Sequence, residues 1–312
     1  MRFTIFQESR KGARSLNQDR VAYTYSRDTL LLVVADGMGG HAGGEIAAQI
    51  AVRLFIDRFQ QEATPILKNP LTFLHETMVK AHAALGSYSA QFSMLETPRT
   101  TCVACIVQGG HAYWVHVGDS RLYLYRRGAL INQTRDHSKV QYLVDQGLIG
   151  PGEVADHPDR NKVYSCLGGT VDPVIDLSNR TVLRDGDIIV LCTDGLWGPI
   201  PSDEIATWLT TTAILKAAPE MMREAERRSG ADGDNMSAII VRWGPETEID
   251  EPSTTITETL PLGEFATQID ATLSLPGRKG TERDLSEDEI ERAIDEIQTT
   301  IRRYRREAPK SP

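Results

Sequence analysis

Four aspartates at the ends of short apolar strands constrain this sequence more than any other feature. Asp36 ends "LLLVVAD", Asp119 follows "YWVHVG", Asp194 follows "IIVLCT", and Asp234 instead precedes "MSAIIVRW". Each Asp-Gly or Asp-Asn alone is most simply a turn. Four such acids, each beside a strongly apolar strand, predict carboxylates that converge at one end of a sheet layer. Clustered acids repel one another unless cations lie between them, and hard divalent cations prefer such oxygen ligands.

The glycine-rich loop after Asp36 has a competing interpretation. Gly37, Gly39 and Gly43 spell G-x-G-x-x-x-G, one residue off the dinucleotide fingerprint, and Asp57 lies at the distance of a ribose-binding acid. That acid should end a second strand, whereas residues 44–60 have helical periodicity. The nucleotide interpretation is therefore the weaker one. A glycine beside Asp36 also lets the backbone turn so that a carbonyl can reach a cation.

Hydrophobic periodicity predicts an α+β fold, because many strands are interrupted by helices that arrive in groups rather than in regular alternation. Strands are expected at 2–8, 21–25, 29–35, 100–108, 111–118, 121–131, 173–178, 187–195 and 236–243. Helices are expected at 44–60, from Leu71 to Leu85, around 138–147 and at 203–228.

Composition narrows the class of protein. The net charge of −9 argues against nucleic acid as a partner, and the 40% hydrophobic content is enough for a substantial core. No secretory signal and no apolar run of membrane-spanning length is recognisable, so a cytoplasmic protein without membrane contact is expected. Four cysteines do not make a disulfide framework in 312 residues, and Cys102 and Cys105 are expected to be core residues.

The C-terminal part has a different character. From Gly244 onward there are 9 Lys and Arg against 16 Asp and Glu, a net charge of −7. The sequence predicts a domain at 1–244, an acidic Thr- and Pro-rich linker with little structure at 245–284, and an amphipathic helix at 285–307. Ser286 and Glu289 form a capping box for that helix. The apolar residues along one side of this helix fit three alternatives: packing on the chain's own domain, self-association, or docking of a partner protein.

Seven segments, in order, carry a resemblance to a known family. They are "RSLNQDR", "ADGMGGHAGGE", "TTC", "VGDSR", "RDHS", "CTDGLWG" and "GDNMS". Together they resemble the metal-dependent protein serine/threonine phosphatases of type 2C, in their bacterial form, over roughly residues 2–243. The resemblance implies a four-layer α-β-β-α sandwich of two antiparallel sheets flanked by helix pairs. It also implies hydrolysis of phosphoserine and phosphothreonine in proteins, and residues 136–169 resemble the family's flap.

The same resemblance assigns roles to individual residues. It implies two Mg²⁺ or Mn²⁺ ions and, in bacterial members, a third, weaker one. The implied metal ligands are Asp36 as the bridge, the Gly37 carbonyl, Asp194, Asp234 and, for the third ion, Asp119. Asp19 would support metal-bound water, and Arg14 would receive the phosphate. His41 is the in-loop candidate for general acid, although it equally fits a hydrogen bond to metal-bound water or a role in fixing the loop.

The implied reaction is direct attack of an activated water on phosphorus, without a covalent phospho-enzyme. The sequence agrees, because none of its cysteines begins the C-x-x-x-x-x-R motif of cysteine-dependent phosphatases. A bacterial Ser/Thr kinase is the expected counterpart in signal transduction. Two alternatives remain open: a pseudo-phosphatase that binds phosphoproteins without cleaving them, and a switch phosphatase with a single substrate.

Overall fold

The computed structural model describes residues 1–38, 43–154, 157–245 and 266–270. His41, the predicted helix at 285–307 and most of the predicted linker therefore lie outside the described residues. Within those ranges, no helix combines the length and apolar character needed to span a lipid bilayer.

The described strands agree closely with the periodicity of the sequence. They are β1 (Phe3–Arg10), β2 (Arg20–Tyr25), β3 (Thr29–Ala35), β4 (Gly37–Met38), β5 (Arg99–Thr100), β6 (Cys102–Gln108), β7 (His111–Val117), β8 (Arg121–Arg126), β9 (Ala129–Gln133), β10 (Asp176–Leu177), β11 (Thr181–Val182), β12 (Ile188–Cys192), β13 (Met236–Trp243) and β14 (Ala266–Asp270). Strands β4, β5 and β11 have two residues each, which is too short for an apolar pattern to predict them.

Two large antiparallel sheets are built from these strands. The first has the order β1-β13-β12-β8-β9, and the second has the order β10-β7-β6-β3-β2-β14 with β11 also on β7. Side chains such as Leu32, Val34, Leu124 and Ile239 are fully buried between the sheets. The alternate residues of the same strands face outward onto helices, as the two-residue period of a strand requires.

Helices cover both outer faces. They are α1 (Gly44–Glu62), α2 (Pro70–Gln91), α3 (Lys139–Asp145), α4 (Asp194–Trp197), α5 (Ser202–Thr211) and α6 (Ile214–Ser229). Helices α1 and α2 pack on the second sheet through residues such as Phe55 and Leu74. Helices α4, α5 and α6 pack on the first sheet through residues such as Leu209 and Met221. The expected four-layer α-β-β-α sandwich is thus confirmed.

One predicted helix is wrong in its extent. The segment 203–228 is two helices, because Thr212 is extended with φ −142° between α5 and α6. Thr210, Thr211 and Thr212 form a β-branched run, which lowers helix propensity at this point.

The cysteines lie where the strand period places them. Cys102 belongs to the core under the helices and Cys105 to the core between the sheets, so they face opposite sides of β6. Burial raises the pKa of the Cys105 thiol to about 12 and that of Cys102 higher still. The prediction of core cysteines is confirmed.

Strand β14 is a structured segment within residues 245–284, which the sequence predicts to have little structure; of this predicted linker the structure describes only residue 245 and residues 266–270. Its backbone pairs with β2, from Ala266 opposite Tyr25 to Asp270 opposite Val21. The Thr267 hydroxyl lies 2.8 Å from that of Thr24. The edge of β2 offers unpaired backbone groups, and this tertiary partner makes a strand from a segment whose composition is typical of a linker.

Candidate metal centre

Strand directions bring the predicted acids to one end of both sheets. Strands β3 and β7 are each antiparallel to β6, so Asp36 and Asp119, which follow them, leave the second sheet at the same end. Strands β12 and β13 are antiparallel neighbours, so Asp194 after β12 adjoins Asp234 before β13. The loop of residues 11–19 crosses between the sheets at this end and carries Asp19, directly before β2.

The electrostatics of these carboxylates indicate that they lie near one another. Burial is the main cause that raises the pKa of Asp36 well above its usual range, and the charges of Asp19, Asp194, Asp119 and Asp234 add to it. Burial likewise raises the pKa of Asp119, with Asp194 as the next contributor. The five acids therefore form one cluster, here called the carboxylate cluster.

The most buried member of the cluster is Asp19. Burial raises its pKa to about 7, against the lowering effect of the nearby Ser237 and Thr193 hydroxyls, while the charges of Asp194 and Asp234 raise it further. Burial and then Asp234 raise the pKa of Asp194 to about 6. Gathering these groups without cations is costly, because each is taken out of water beside like charges.

Two oxygens of the cluster have no hydrogen-bond partner among the described residues. They are Oδ1 of Asp19 and Oδ1 of Asp194, and both are buried. Buried carboxylate oxygens almost always have a partner. An all-oxygen donor set with free buried oxygens fits hard divalent cations such as Mg²⁺ or Mn²⁺, and does not resemble the sulfur and nitrogen sets of structural zinc.

Arg14 lies at the rim of the cluster. Its Nη2 donates to Asp234 Oδ2 at 2.7 Å, and its side chain is 56% exposed. The guanidinium is thus held beside the acids while it remains open to an incoming anion. The sequence predicts separate roles for Arg14 and Asp234 and does not predict this ion pair.

Glycines let the loops of the cluster approach closely. A Cβ on Gly195 would lie 2.1 Å from the Asn235 carbonyl oxygen, and one on Gly12 would lie 2.2 Å from that of Asp234. At Gly37 the obstacle would be the carbonyl oxygen of Gly44, at 2.2 Å. These distances are far below van der Waals contact, so a side chain at any of the three would displace backbone beside the cluster.

Buried polar residues that sequence reasoning missed hold the cluster in place. The Thr193 hydroxyl donates to Asp19 Oδ2 at 2.9 Å and accepts from the Ser237 amide at 3.0 Å. Asn235 binds the crossing loop by donating to the carbonyls of Lys11 and Leu16 and by accepting from the Gln18 amide. Their only sequence signal is adjacency to Asp194 and Asp234.

Thr101 joins Asp36 to the strand end that carries Asp119. Its amide donates to the Asp36 carbonyl at 2.9 Å, and its Oγ1 accepts from the Asp36 amide at 3.2 Å. The same hydroxyl lies 2.7 Å from the Ser120 hydroxyl. Thr101 therefore links the Asp36 backbone to the residue after Asp119 without the use of either carboxylate.

Trp197 makes a second link of this kind. Its indole nitrogen donates to the Asp119 carbonyl at 3.0 Å, and the Arg121 guanidinium lies 3.5 Å from its ring centroid. Arg121 in turn forms a bidentate pair with the buried Asp136. Trp197, in the helix α4 that Asp194 begins, therefore ties the Asp194 segment to Asp119.

A separate cluster of possible ligands lies beside the carboxylate cluster. The ligand atoms of His116, His137 and Asp176 are within 4.8 Å of one another. However, Nε2 of His116 faces the Arg135 carbonyl at 2.8 Å, and Nδ1 of His137 accepts from the Gly118 amide at 3.2 Å. The second contact leaves the proton of a neutral His137 on Nε2, the atom that a metal would need, so this group is a poor cation site.

The fold and the carboxylate cluster define a class of protein: a four-layer α-β-β-α sandwich with a candidate divalent-cation site at one end. A family model described as protein phosphatase 2C matches residues 7–231. The chain belongs to the protein phosphatase 2C family.

Bacterial relatives are consistent with this membership. The chain is 34% identical over 228 residues to the serine/threonine protein phosphatase PstP of Mycobacterium tuberculosis, a match that covers 73% of this chain and 42% of that protein. It is 29% identical over 239 residues to the serine/threonine phosphatase stp of Listeria monocytogenes, covering 76% of this chain and 94% of that protein. The chain thus spans less than half of the first relative and nearly all of the second.

A solved structure has the same fold and contains metal. It is the catalytic domain of PstP in complex with two manganese ions, with a TM-score of 0.64 and 31% identity. The alignment covers 77% of this chain and 97% of that domain.

Proposed function

We propose that this protein hydrolyses phosphoserine and phosphothreonine in other proteins, with Mg²⁺ or Mn²⁺ held by the carboxylate cluster. The observation that carries the proposal is the convergence of five buried or half-buried aspartates, two of which have a buried oxygen without a hydrogen-bond partner among the described residues. The family and the manganese-bound relative support the same conclusion.

The proposed metal ligands are Asp36, the Gly37 carbonyl, Asp194 and Asp234 for two ions, and Asp119 for a third, weaker one. Bound divalent cations supply an acidified water for attack on phosphorus and positive charge against the phosphoryl oxygens. Since the described residues offer only oxygen atoms here, we propose the hard cations rather than zinc.

Arg14 is the proposed phosphate-binding residue. Its guanidinium is exposed at the rim, and its bond to Asp234 keeps it directed at the cluster. A phosphoryl group can accept charge-assisted hydrogen bonds from the nitrogens that Asp234 does not use. Arg14 thereby orients the substrate and offsets its negative charge.

Asp19 is proposed to accept a hydrogen bond from the attacking water. Its Oδ2 accepts from the Thr193 hydroxyl, whereas its Oδ1 has no partner within the part of the chain that the structure describes. A carboxylate locked on one oxygen and free on the other can orient a water without changing its own position. His41 stays the proposed general acid for the leaving alkoxide, on the strength of its place in the loop after Asp36.

No covalent intermediate is part of the proposal. Three of the cysteines are fully buried, and burial raises the pKa of all four thiols. A cysteine nucleophile needs a lowered pKa and access to substrate. Direct attack by water is the reaction that fits these residues.

A pseudo-phosphatase is the less favoured alternative, because a binding-only protein would be expected to lack an acid of the cluster and none is missing. The single-substrate switch shares the chemistry and differs only in its substrate. As part of the proposal, the counterpart is a Ser/Thr protein kinase in cytoplasmic signal transduction.

The test is turnover of a phosphothreonine peptide with Mn²⁺ and with excess chelator. Asp36→Asn should abolish Mn²⁺-dependent turnover while circular dichroism stays unchanged. Asp28→Asn is the matched control, since Asp28 is exposed in the β2–β3 turn at the opposite end of the sandwich, and it should retain full activity. Full activity of Asp36→Asn, or turnover in chelator, would contradict the proposal.

A further inference from the structure

His137 holds the backbone on both sides of Gly118, the residue before Asp119. The His137 amide donates to the Gly118 carbonyl at 2.9 Å, and the ring Nδ1 accepts from the Gly118 amide at 3.2 Å. His137 is only 2% exposed. One buried residue therefore fixes both peptide units that join at Gly118, and the second of them leads directly into Asp119.

The backbone at Gly118 has a conformation that needs such support. Its φ is +99°, and a Cβ there would lie 2.6 Å from Cβ of Thr101. Glycine can adopt this φ because it has no Cβ, but its backbone angles are also less restricted than those of other residues. The orientation of Asp119 thus depends on contacts from outside the strand, and His137 supplies two of them.

The two ring nitrogens of His137 differ in what they contact. Nδ1 must accept, because it faces a backbone N–H, and so Nε2 carries the proton of the neutral ring. Nε2 lies 3.3 Å from Oδ2 of the exposed Asp176 but makes no hydrogen bond of good geometry among the described residues. The structural contribution of the side chain is therefore through Nδ1.

His137 also connects this peptide to the flap. Its carbonyl accepts from the Tyr164 amide at 2.9 Å, and Ser138 forms a β-bridge with Val163. The base of the flap, where its chain enters and leaves, is thus attached to the residue that orients Asp119.

We propose that His137 is a positioning residue for Asp119, acting through Nδ1 on the Gly118 amide, and that it sets the affinity of the cation position that Asp119 serves. This inference rests on the metal role of Asp119 in the proposed function. Partners that orient a ligand without touching the metal typically change metal affinity by about 10- to 100-fold when removed.

Three substitutions at His137 distinguish the contribution of Nδ1 from that of Nε2. His137→Asn keeps an acceptor near the position of Nδ1, His137→Gln places its amide near Nε2, and His137→Leu removes both. The readout is Mn²⁺ binding by electron paramagnetic resonance and calorimetry, without turnover, and Asp119→Asn provides the benchmark.

We expect His137→Leu and His137→Gln to weaken the Asp119-dependent Mn²⁺ site by about 10- to 100-fold, and His137→Asn to retain it. The double variant His137→Leu with Asp119→Asn should bind no more weakly than Asp119→Asn alone. Asp176→Asn, which changes only the Nε2 side, should bind as the wild type does.

Each other outcome decides against a specific claim. If Asp119→Asn leaves Mn²⁺ binding intact, the proposed metal role of Asp119 is wrong. If Asp119→Asn weakens binding but His137→Leu does not, the positioning role alone is wrong. Rescue by Gln rather than Asn, together with an effect of Asp176→Asn, would place the function on Nε2 and overturn the inference. If His137→Leu does not fold, the Mn²⁺ affinities of His137→Asn and His137→Gln decide. Retained affinity in Asn with weakened affinity in Gln supports the inference, and the reverse overturns it.

Discussion

The carboxylate cluster depends on buried hydroxyls that never face substrate. Thr193 is fully buried and joins the Asp19 carboxylate to the Ser237 amide, at the contact between β12 and β13. Because both partners are themselves buried, loss of the hydroxyl leaves a donor and an acceptor unpaired. A single atom therefore contributes to stability and to the orientation of Asp19.

Thr193→Val should accordingly destabilise the protein by about 1–3 kcal/mol, since valine keeps the shape but cannot bond to Asp19 or Ser237. Urea denaturation measures the free energy of unfolding. Thr193→Ser keeps the hydroxyl and should lose less than half as much. Equal losses in both variants would mean that the methyl group, and not the hydrogen bonds, matters here.

At the scale of elements, the acids are brought together by close approach of loops rather than by long side chains. Gly195 in α4 touches the backbone of Asn235 before β13, so the Asp194 and Asp234 loops are in direct contact. The distance between these two candidate ligands is therefore set by the absence of a side chain at Gly195.

Gly195→Ala should cost about 1–3 kcal/mol of stability, because its Cβ would meet a backbone oxygen that cannot move alone. It should also weaken Mn²⁺ binding.

Gly86→Ala is the matched control: Gly86 lies within α2, and a Cβ there would meet nothing within 4 Å. That variant should gain about 0.5–1 kcal/mol, since alanine is the better helix former. A neutral Gly195→Ala would contradict the packing described for this loop.

Strand β14 is an addition to the edge of the sandwich and not part of its core. Besides its backbone pairing with β2, it contacts the domain through the side chains of Thr267 and Gln268, which bond to Thr24, Gln60 and Tyr23. A chain that ends at Pro245 should keep phosphopeptide turnover within about two-fold and lose about 1–2 kcal/mol of stability, the scale of a few exposed hydrogen bonds. Loss of all turnover in that shortened chain would show that the C-terminal part belongs to the catalytic domain.

The sequence predicted most strands and helices because each has a clear apolar period, and it predicted Asp36, Asp119, Asp194 and Asp234 from their places at strand ends. Asp19 and Arg14 lie in a polar loop without periodicity, and only the family resemblance indicated them. Their place beside the cluster depends on how the two sheets stack, which no local pattern encodes. The same holds for β14, whose strand is created by the free edge of β2.

At the scale of the whole molecule, two stacked sheets bring the five acids of the carboxylate cluster together at one end, where Arg14 is paired with Asp234 alone among the described residues. Without metal, Asp19 and Asp194 have pKa values of about 7 and about 6, above the ordinary 3.8. A carboxyl with a higher pKa in the folded state favours folding while it is protonated. This contribution is full below a pH of about 4 and is lost as the pH rises to about 7.

The chelated protein should therefore lose stability to urea between pH 5 and pH 7.5, and Asp19→Asn should flatten that dependence. Mn²⁺ at 100 times its dissociation constant should restore about 2.7 kcal/mol at pH 7.5 for each site. A chelated protein that is equally stable at both pH values would mean that these acids are not held in mutual repulsion.

The most direct measurement is the anomalous scattering of manganese in a crystal grown with Mn²⁺. We expect two strong peaks among Asp36, Asp194 and Asp234, and a weaker one beside Asp119 that disappears in Asp119→Asn. A map with no peak among these aspartates, or with manganese only at His116, His137 and Asp176, would contradict this expectation.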